Sequence, residues 1–128
     1  MSETTWIEED LLFAIHDRQL AEHGGNAGVR DEKVLQSVLP ASRNQAAEAS
    51  RDIIELAAKC TAAMVKIQPF VDGSKRCGFV LGVLLLELNG YRFTASEEAA
   101  AQAVLELAAG TIDESGFREF LRAHAKTT

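Results

Sequence analysis

Ile67-Gln68-Pro69-Phe70-Val71-Asp72-Gly73-Ser74-Lys75-Arg76 runs directly into Cys77-Gly78-Phe79-Val80-Leu81-Gly82-Val83-Leu84-Leu85-Leu86-Glu87-Leu88. The first part is a short polar loop dense in functional groups. The second is the most apolar segment of the chain. Apolar on almost every side, it reads as a buried central helix over about 74–89. Gly78 and Gly82 each cost about 1 kcal/mol of helix propensity against Ala, which points to close approach of a neighbouring helix. A helix start presents unpaired backbone N–H groups and the positive end of the dipole, so it suits an anion such as phosphate. Lys75 and Arg76 oppose that dipole unless something anionic lies nearby. Asp72 with phosphate oxygens is a usual way to hold Mg²⁺, which keeps its waters and takes few protein ligands. The loop is not a Walker P-loop: no glycine stands at the first position, and Arg76 occupies the Ser/Thr place.

Working outward, the residues before the loop carry apolar positions at helical steps: Ile53, Leu56, Ala57, Cys60, Met64 and Ile67. Pro69 forbids simple continuation of that helix. Ile7, Leu11, Leu12, Ile15 and Leu20 predict a first helix ending at Gly24-Gly25, and Asp31 with Val34, Leu35, Val38 and Leu39 predicts a second. Residues 40–50 fit a helix or a flap equally. Asn89-Gly90 reads as a stop, with Tyr91-Arg92-Phe93 briefly extended. Thr94-Ala95-Ser96-Glu97 and Thr111-Ile112-Asp113-Glu114 read as capping boxes ahead of the last two helices. No stretch reads convincingly as a strand. The expectation is an all-α bundle of about six helices, one domain over 1–128.

The chain has 128 residues, 47% apolar and 25% charged, within the ordinary globular range. A net charge of −6 argues against non-specific nucleic-acid binding. The start of the chain lacks a basic region followed by an apolar one, and 77–88 is too short to span a bilayer. The expectation is a soluble cytoplasmic protein with no membrane and no direct nucleic-acid partner. Cys60 and Cys77 fit neither metal spacing nor a disulfide framework and read as core thiols. Among the three histidines, His16 reads as a packing residue, and His23 and His124 as helix-end residues.

Residues 68–76 resemble the signature of the Fic/Doc family, His-x-Phe-x-(Asp/Asn)-(Gly/Ala)-Asn-Lys-Arg. The chain is most similar to the Doc branch, the death-on-curing toxins of toxin–antitoxin modules. His16-Asp17, Gly24-Gly25, Gly28-Val29-Arg30-Asp31 with Leu35, and the 84–93 segment extend the resemblance over essentially the whole chain, from about Ile7 to Leu121. It implies a Fic-like fold, Mg²⁺ at Asp72, an anion cradle for ATP at Gly73, Ser74, Lys75 and Arg76, and Phe70 anchoring the loop. It further implies transfer of the terminal phosphate of ATP to translation elongation factor Tu, with a Phd-like antitoxin as partner; most Fic proteins transfer AMP instead.

Two positions depart from the signature. Gln68 stands at the place of the family's general base, and an amide has no useful basicity near neutral pH. Ser74 stands where the family has Asn, which weakens the expected cradle. Whether this chain is an enzyme is therefore open. The readings are an impaired phosphotransferase, a catalytically silent binding module, and an AMP transferase. Ser115 and Glu119 also match the spacing of a helix with which some Fic proteins silence their own Arg.

Overall fold

The computed structural model describes residues 9–29, 52–68, 70–71 and 73–127. Five helices are present among these: α1 (Glu9–His23), α2 (Ile53–Ile67), α3 (Ser74–Leu88), α4 (Glu97–Ala109) and α5 (Glu114–His124). Two short strands, β1 (Tyr91–Phe93) and β2 (Ala125–Thr127), complete the described elements. The fold is all-α in class. The helix expected over 31–39 and the uncertain 40–50 stretch lie outside the described residues.

The centre is an antiparallel pair, α2 and α3. Asp52 starts α2 by accepting from the N–H groups of Ile54 at 3.0 Å and Glu55 at 3.3 Å. Ten of the fifteen residues of α2 are buried. The glycines of α3 lie directly on this helix: a Cβ on Gly78 would stand 2.7 Å from Met64 Cβ, and one on Gly82 would overlap the Thr61 hydroxyl. The Thr61 hydroxyl donates to the Gly78 carbonyl at 2.9 Å. The expected close approach is thus present, and it is made against α2. α3 is a core helix but not buried all round, because Phe79, Val80, Val83 and Leu84 are only half-buried.

The other elements cover this pair. α1 packs on α3 through its Leu12, Ile15 and His16 stripe; α5 packs on α2 through Phe117 and Leu121. α1 stops at Gly24, whose positive φ of 79° and N–H bond to the Leu20 carbonyl close the helix end. α4 lies against α2 and α5. Cys60 and Cys77 are buried free thiols, as expected.

Two expectations change. The chain does form a sheet: β1 and β2 pair antiparallel in the register Tyr91↔Thr127, Arg92↔Lys126, Phe93↔Ala125. Ala-Lys-Thr at a chain end has no alternation to announce a strand; its pairing depends on α5 delivering it beside β1. The capping boxes are also displaced. Ser96 caps α4 by accepting from Ala99 N–H, and Asp113 caps α5 by accepting from Gly116 N–H. Thr94 instead donates its hydroxyl and N–H to the His124 carbonyl, joining the ribbon to the end of α5.

Asp52 also receives Arg122 of α5 at 2.7 Å. Burial raises its carboxyl, but the Arg122 hydrogen bond, the Glu55 N–H, the Arg122 charge and the Ile54 N–H outweigh that and hold it below its ordinary value. A carboxyl depressed by folding adds stability above its unfolded pKa, about 3.9, and loses it as pH falls through the lower folded value.

Two stability measurements follow from this packing. Ala at Gly82 gains about 1 kcal/mol of helix propensity but meets an overpacking cost of about 1–3 kcal/mol, so Gly82→Ala is expected to lower the urea midpoint. A midpoint at or above the parent's would mean that α2 and α3 can separate freely. Asp52→Asn keeps a capping oxygen and loses the ion pair, so it is expected to cost up to about 1 kcal/mol near neutral pH. Below about pH 4 its stability is expected to fall less steeply than the parent's, as urea titrations across that range would record.

Candidate functional site

The loop between α2 and α3 joins two helix ends of opposite character. Gln68 closes α2. Its N–H bonds to the Met64 carbonyl, and its backbone is left-handed, with φ 50° and ψ 65°. Among the described residues it is the only non-glycine with positive φ. Such a conformation costs an L-residue roughly 1–2 kcal/mol, which the surrounding loop must hold in place.

Phe70 then turns inward and is 1% exposed. Its ring stacks on His16 of α1, with centroids 3.6 Å apart and planes 10° from parallel, and takes the edge of Phe13 at 6.0 Å. Its backbone is tied twice. Phe70 N–H donates to Ser74 Oγ at 3.0 Å, and the same hydroxyl donates to the Phe70 carbonyl at 3.3 Å. From the other side, Val29 bridges Phe70 in antiparallel fashion and Val71 N–H bonds to the Gly28 carbonyl at 3.0 Å. Gly28 meets this contact with φ 124°, and a Cβ there would lie 3.5 Å from Val71 Cγ2.

Gly73 caps α3 with φ 82° and no side-chain cap bond. The first turn of α3 contains no acidic residue. Lys75 and Arg76 are exposed there, and among the described residues neither has an ion-pair partner. The positive end of α3 therefore carries two further positive charges. Such an end attracts an anion by its N–H groups, its dipole and its side chains together.

The expected site residues thus divide. Gly73, Lys75 and Arg76 gather at the start of α3. Gln68 stands across the loop on the end of α2. Ser74 is buried at 4% exposure with its hydroxyl committed to Phe70, so the group it can offer an anion is its backbone N–H. Asp72 and Pro69 lie outside the described residues. Among the described residues no cluster of three or more His, Cys, Asp or Glu could hold a metal ion. None of their helices is long and apolar enough to cross a membrane.

Other reactive groups are kept away from this chemistry. Burial pushes the Cys77 thiol up to about 12, so it stays protonated and is no nucleophile at neutral pH. His124 is engaged with the Phe120 carbonyl through Nδ1 at 2.8 Å, beside the ribbon. His23 is exposed at the end of α1 beside Glu22. Glu119 pairs with Arg118 of its own helix at 3.7 Å rather than with Arg76. Sequence reasoning missed the pairing of residues 28–29 with 70–71 and the two roles of Ser74. The glycine-rich run after α1 is visible in the sequence, but the segment it pairs with is not.

The strained backbone at Gln68 can be tested directly. Gly accepts left-handed φ without cost but loses unfolded-state entropy, so Gln68→Gly is expected to gain up to about 1 kcal/mol in denaturant unfolding. A loss would mean that the Gln68 side chain contributes packing that outweighs the strain.

The chain is similar to the protein kinase doc of Escherichia phage P1, 28% identical over 117 residues that make up 91% of this chain and 92% of that protein. The sequence model of the Fic/DOC family matches residues 6–86, a span that holds α1, α2, the loop and most of α3. With more than half of its length matched, the loop included, this chain belongs to the Fic/DOC family.

Proposed function

We propose that this chain is a Doc-like toxin of a toxin–antitoxin module, built to transfer the terminal phosphate of ATP to a protein hydroxyl and impaired at the proton-removal step. The observation that carries the reading is the pair Lys75–Arg76, exposed and without a carboxylate partner among the described residues, on the first turn of α3. Membership of the family and similarity to a protein kinase support the same assignment.

In this reading the N–H groups at the start of α3 receive phosphate oxygens. Arg76 grips them with its planar fork, and Lys75 supplies a point charge. Gly73 lets the backbone approach closely because no side chain stands at the cap. The donor set fits a Mg²⁺-nucleotide: Asp72 would supply the single carboxylate, and phosphate oxygens and water would complete the shell. When bound, Mg²⁺ neutralises charge on the phosphates during transfer.

The incoming hydroxyl must lose a proton as its oxygen bonds to the terminal phosphorus of ATP, while the bond from that phosphorus to the bridging oxygen breaks and ADP leaves with the electron pair. Gln68 occupies the position from which the family's His takes that proton. The Gln68 amide can hydrogen-bond the hydroxyl but cannot accept its proton near neutral pH. None of the three histidines replaces it. His16 is buried under Phe70, and His23 and His124 stand on other elements. Translation elongation factor Tu is the proposed target and a Phd-like antitoxin the proposed partner. The chain would act as one domain in the cytoplasm.

Gln68 also favours a second reading, a catalytically silent homologue that retains nucleotide or antitoxin binding. One experiment separates the two. The protein and its Gln68→His variant are incubated with Mg²⁺-ATP and elongation factor Tu, and the target is analysed by mass spectrometry. The variant is expected to add phosphate about 10²–10⁴-fold faster than the parent. An AMP adduct would instead assign AMP transfer. Equal, substantial rates in both proteins would overturn the role given to position 68, and no product from either would leave the silent module. Titration with a non-hydrolysable ATP analogue, weakened by Arg76→Ala, checks the cradle separately.

A further inference from the structure

His16 lies against the signature loop at two places at once. One face of its ring covers Phe70 at 3.6 Å with planes 10° from parallel. Its edge meets the turn into α3: the Cβ that Gly73 lacks would lie 3.5 Å from His16 Cδ2 and from Nε2. Phe70 is the buried anchor of the loop and Gly73 is the cap of α3. The span between them separates the base position, Gln68, from the cations Lys75 and Arg76. Phe13 meets Phe70 by its edge, and Leu20 lies 3.6 Å from the same absent Cβ of Gly73.

We propose that His16 is a positioning residue for the anion cradle. Its flat, rigid ring sets the distance between Phe70 and Gly73. It thereby sets the direction in which the first turn of α3 presents its N–H groups, Lys75 and Arg76. A generic core side chain would not do this. A branched aliphatic residue can fill the volume, but it cannot lie in parallel contact with Phe70 while leaving Gly73 its left-handed turn, φ 82°. The inference deepens the nucleotide reading of the loop and rests on it, but the contact itself can be judged without nucleotide.

The test uses the full chain with four substitutions. His16→Leu removes the ring and keeps bulk. His16→Phe restores a flat ring. Phe70→Leu removes the stack from the other side and serves if His16→Leu fails to fold. Leu107→Ala, in the buried face of α4, is a destabilised control on a different element. Two quantities are read: the affinity for a non-hydrolysable ATP analogue with Mg²⁺, by calorimetry, and hydrogen exchange at the Phe70 and Val71 amides. His16→Leu and Phe70→Leu are expected to weaken the analogue about tenfold, as a sub-ångström misplacement of the cradle would, and to speed exchange at both amides. His16→Phe is expected to stay near the parent in both. Leu107→Ala is expected to lower the melting temperature and leave both unchanged.

Unaltered exchange and affinity in the two Leu variants would overturn the proposal. So would an equal loss in Leu107→Ala, or no recovery in His16→Phe. A parent chain that binds no analogue would sink the nucleotide reading instead, and the exchange data would then decide the positioning role alone.

Discussion

The close crossing of α2 and α3 is the constraint on which the site depends. Gly78 and Gly82 leave no room for side chains over Met64, Thr61 and Ala57, so the two backbones meet directly. Thr61 fastens the contact by donating its hydroxyl to the Gly78 carbonyl. Each glycine weakens α3 as an isolated helix, and the contact between the helices must offset that cost. The crossing also determines how far the end of α2 lies from the start of α3. Those two ends are Gln68 and Gly73, the limits of the loop. Core packing and site geometry are therefore one problem here.

Within that frame the loop has little freedom. Phe70 is held by His16 on one side and by Val29 through backbone pairing on the other. Ser74 closes the turn with two hydrogen bonds to the backbone of Phe70. This recasts the departure from the family signature at position 74. A hydroxyl is short enough to fold back on its own loop, so Ser at this position ties the loop to itself, whatever part the expected Asn would have had toward a phosphate. Left-handed backbone at Gln68 and at Gly73 turns the chain out of one helix and into the next.

Much of this was legible in the sequence because local physics decides it. The 3.6-residue spacing from Ile53 to Ile67, the stop at Gly24-Gly25 and the apolar run after Ser74 each define a helix without reference to distant residues. Gly78 and Gly82 signalled a close neighbour, though only the structure says that α2 is that neighbour. What was not legible depends on residues far apart in the chain. β2 exists because α5 ends beside Phe93. Thr94 bonds to the His124 carbonyl and so leaves Ser96 to cap α4. In the same way His16 could be read as a packing residue, but its stack on Phe70 and its contact with Gly73 join parts of the molecule that only the fold brings together.

The loop's two halves belong to different helices, and that bears on how the proposed base position and the proposed cradle depend on each other. The backbone of Gln68 is set by the end of α2, through its bond to Met64. The proposed cradle lies at the start of α3, which is shaped by Gly73, Phe70 and Ser74. None of the described contacts that hold the cradle passes through the Gln68 side chain. Under the proposed function, an amide in place of an imidazole there would remove proton transfer without moving the groups proposed to bind phosphate. The charges at Lys75 and Arg76 also disfavour α3 in isolation, since they face the positive end of its dipole. An anion at that end would relieve the repulsion whether or not transfer follows. The physical reason for the proposed cradle is therefore independent of the proposed base position, and nothing in the geometry of the first requires the second.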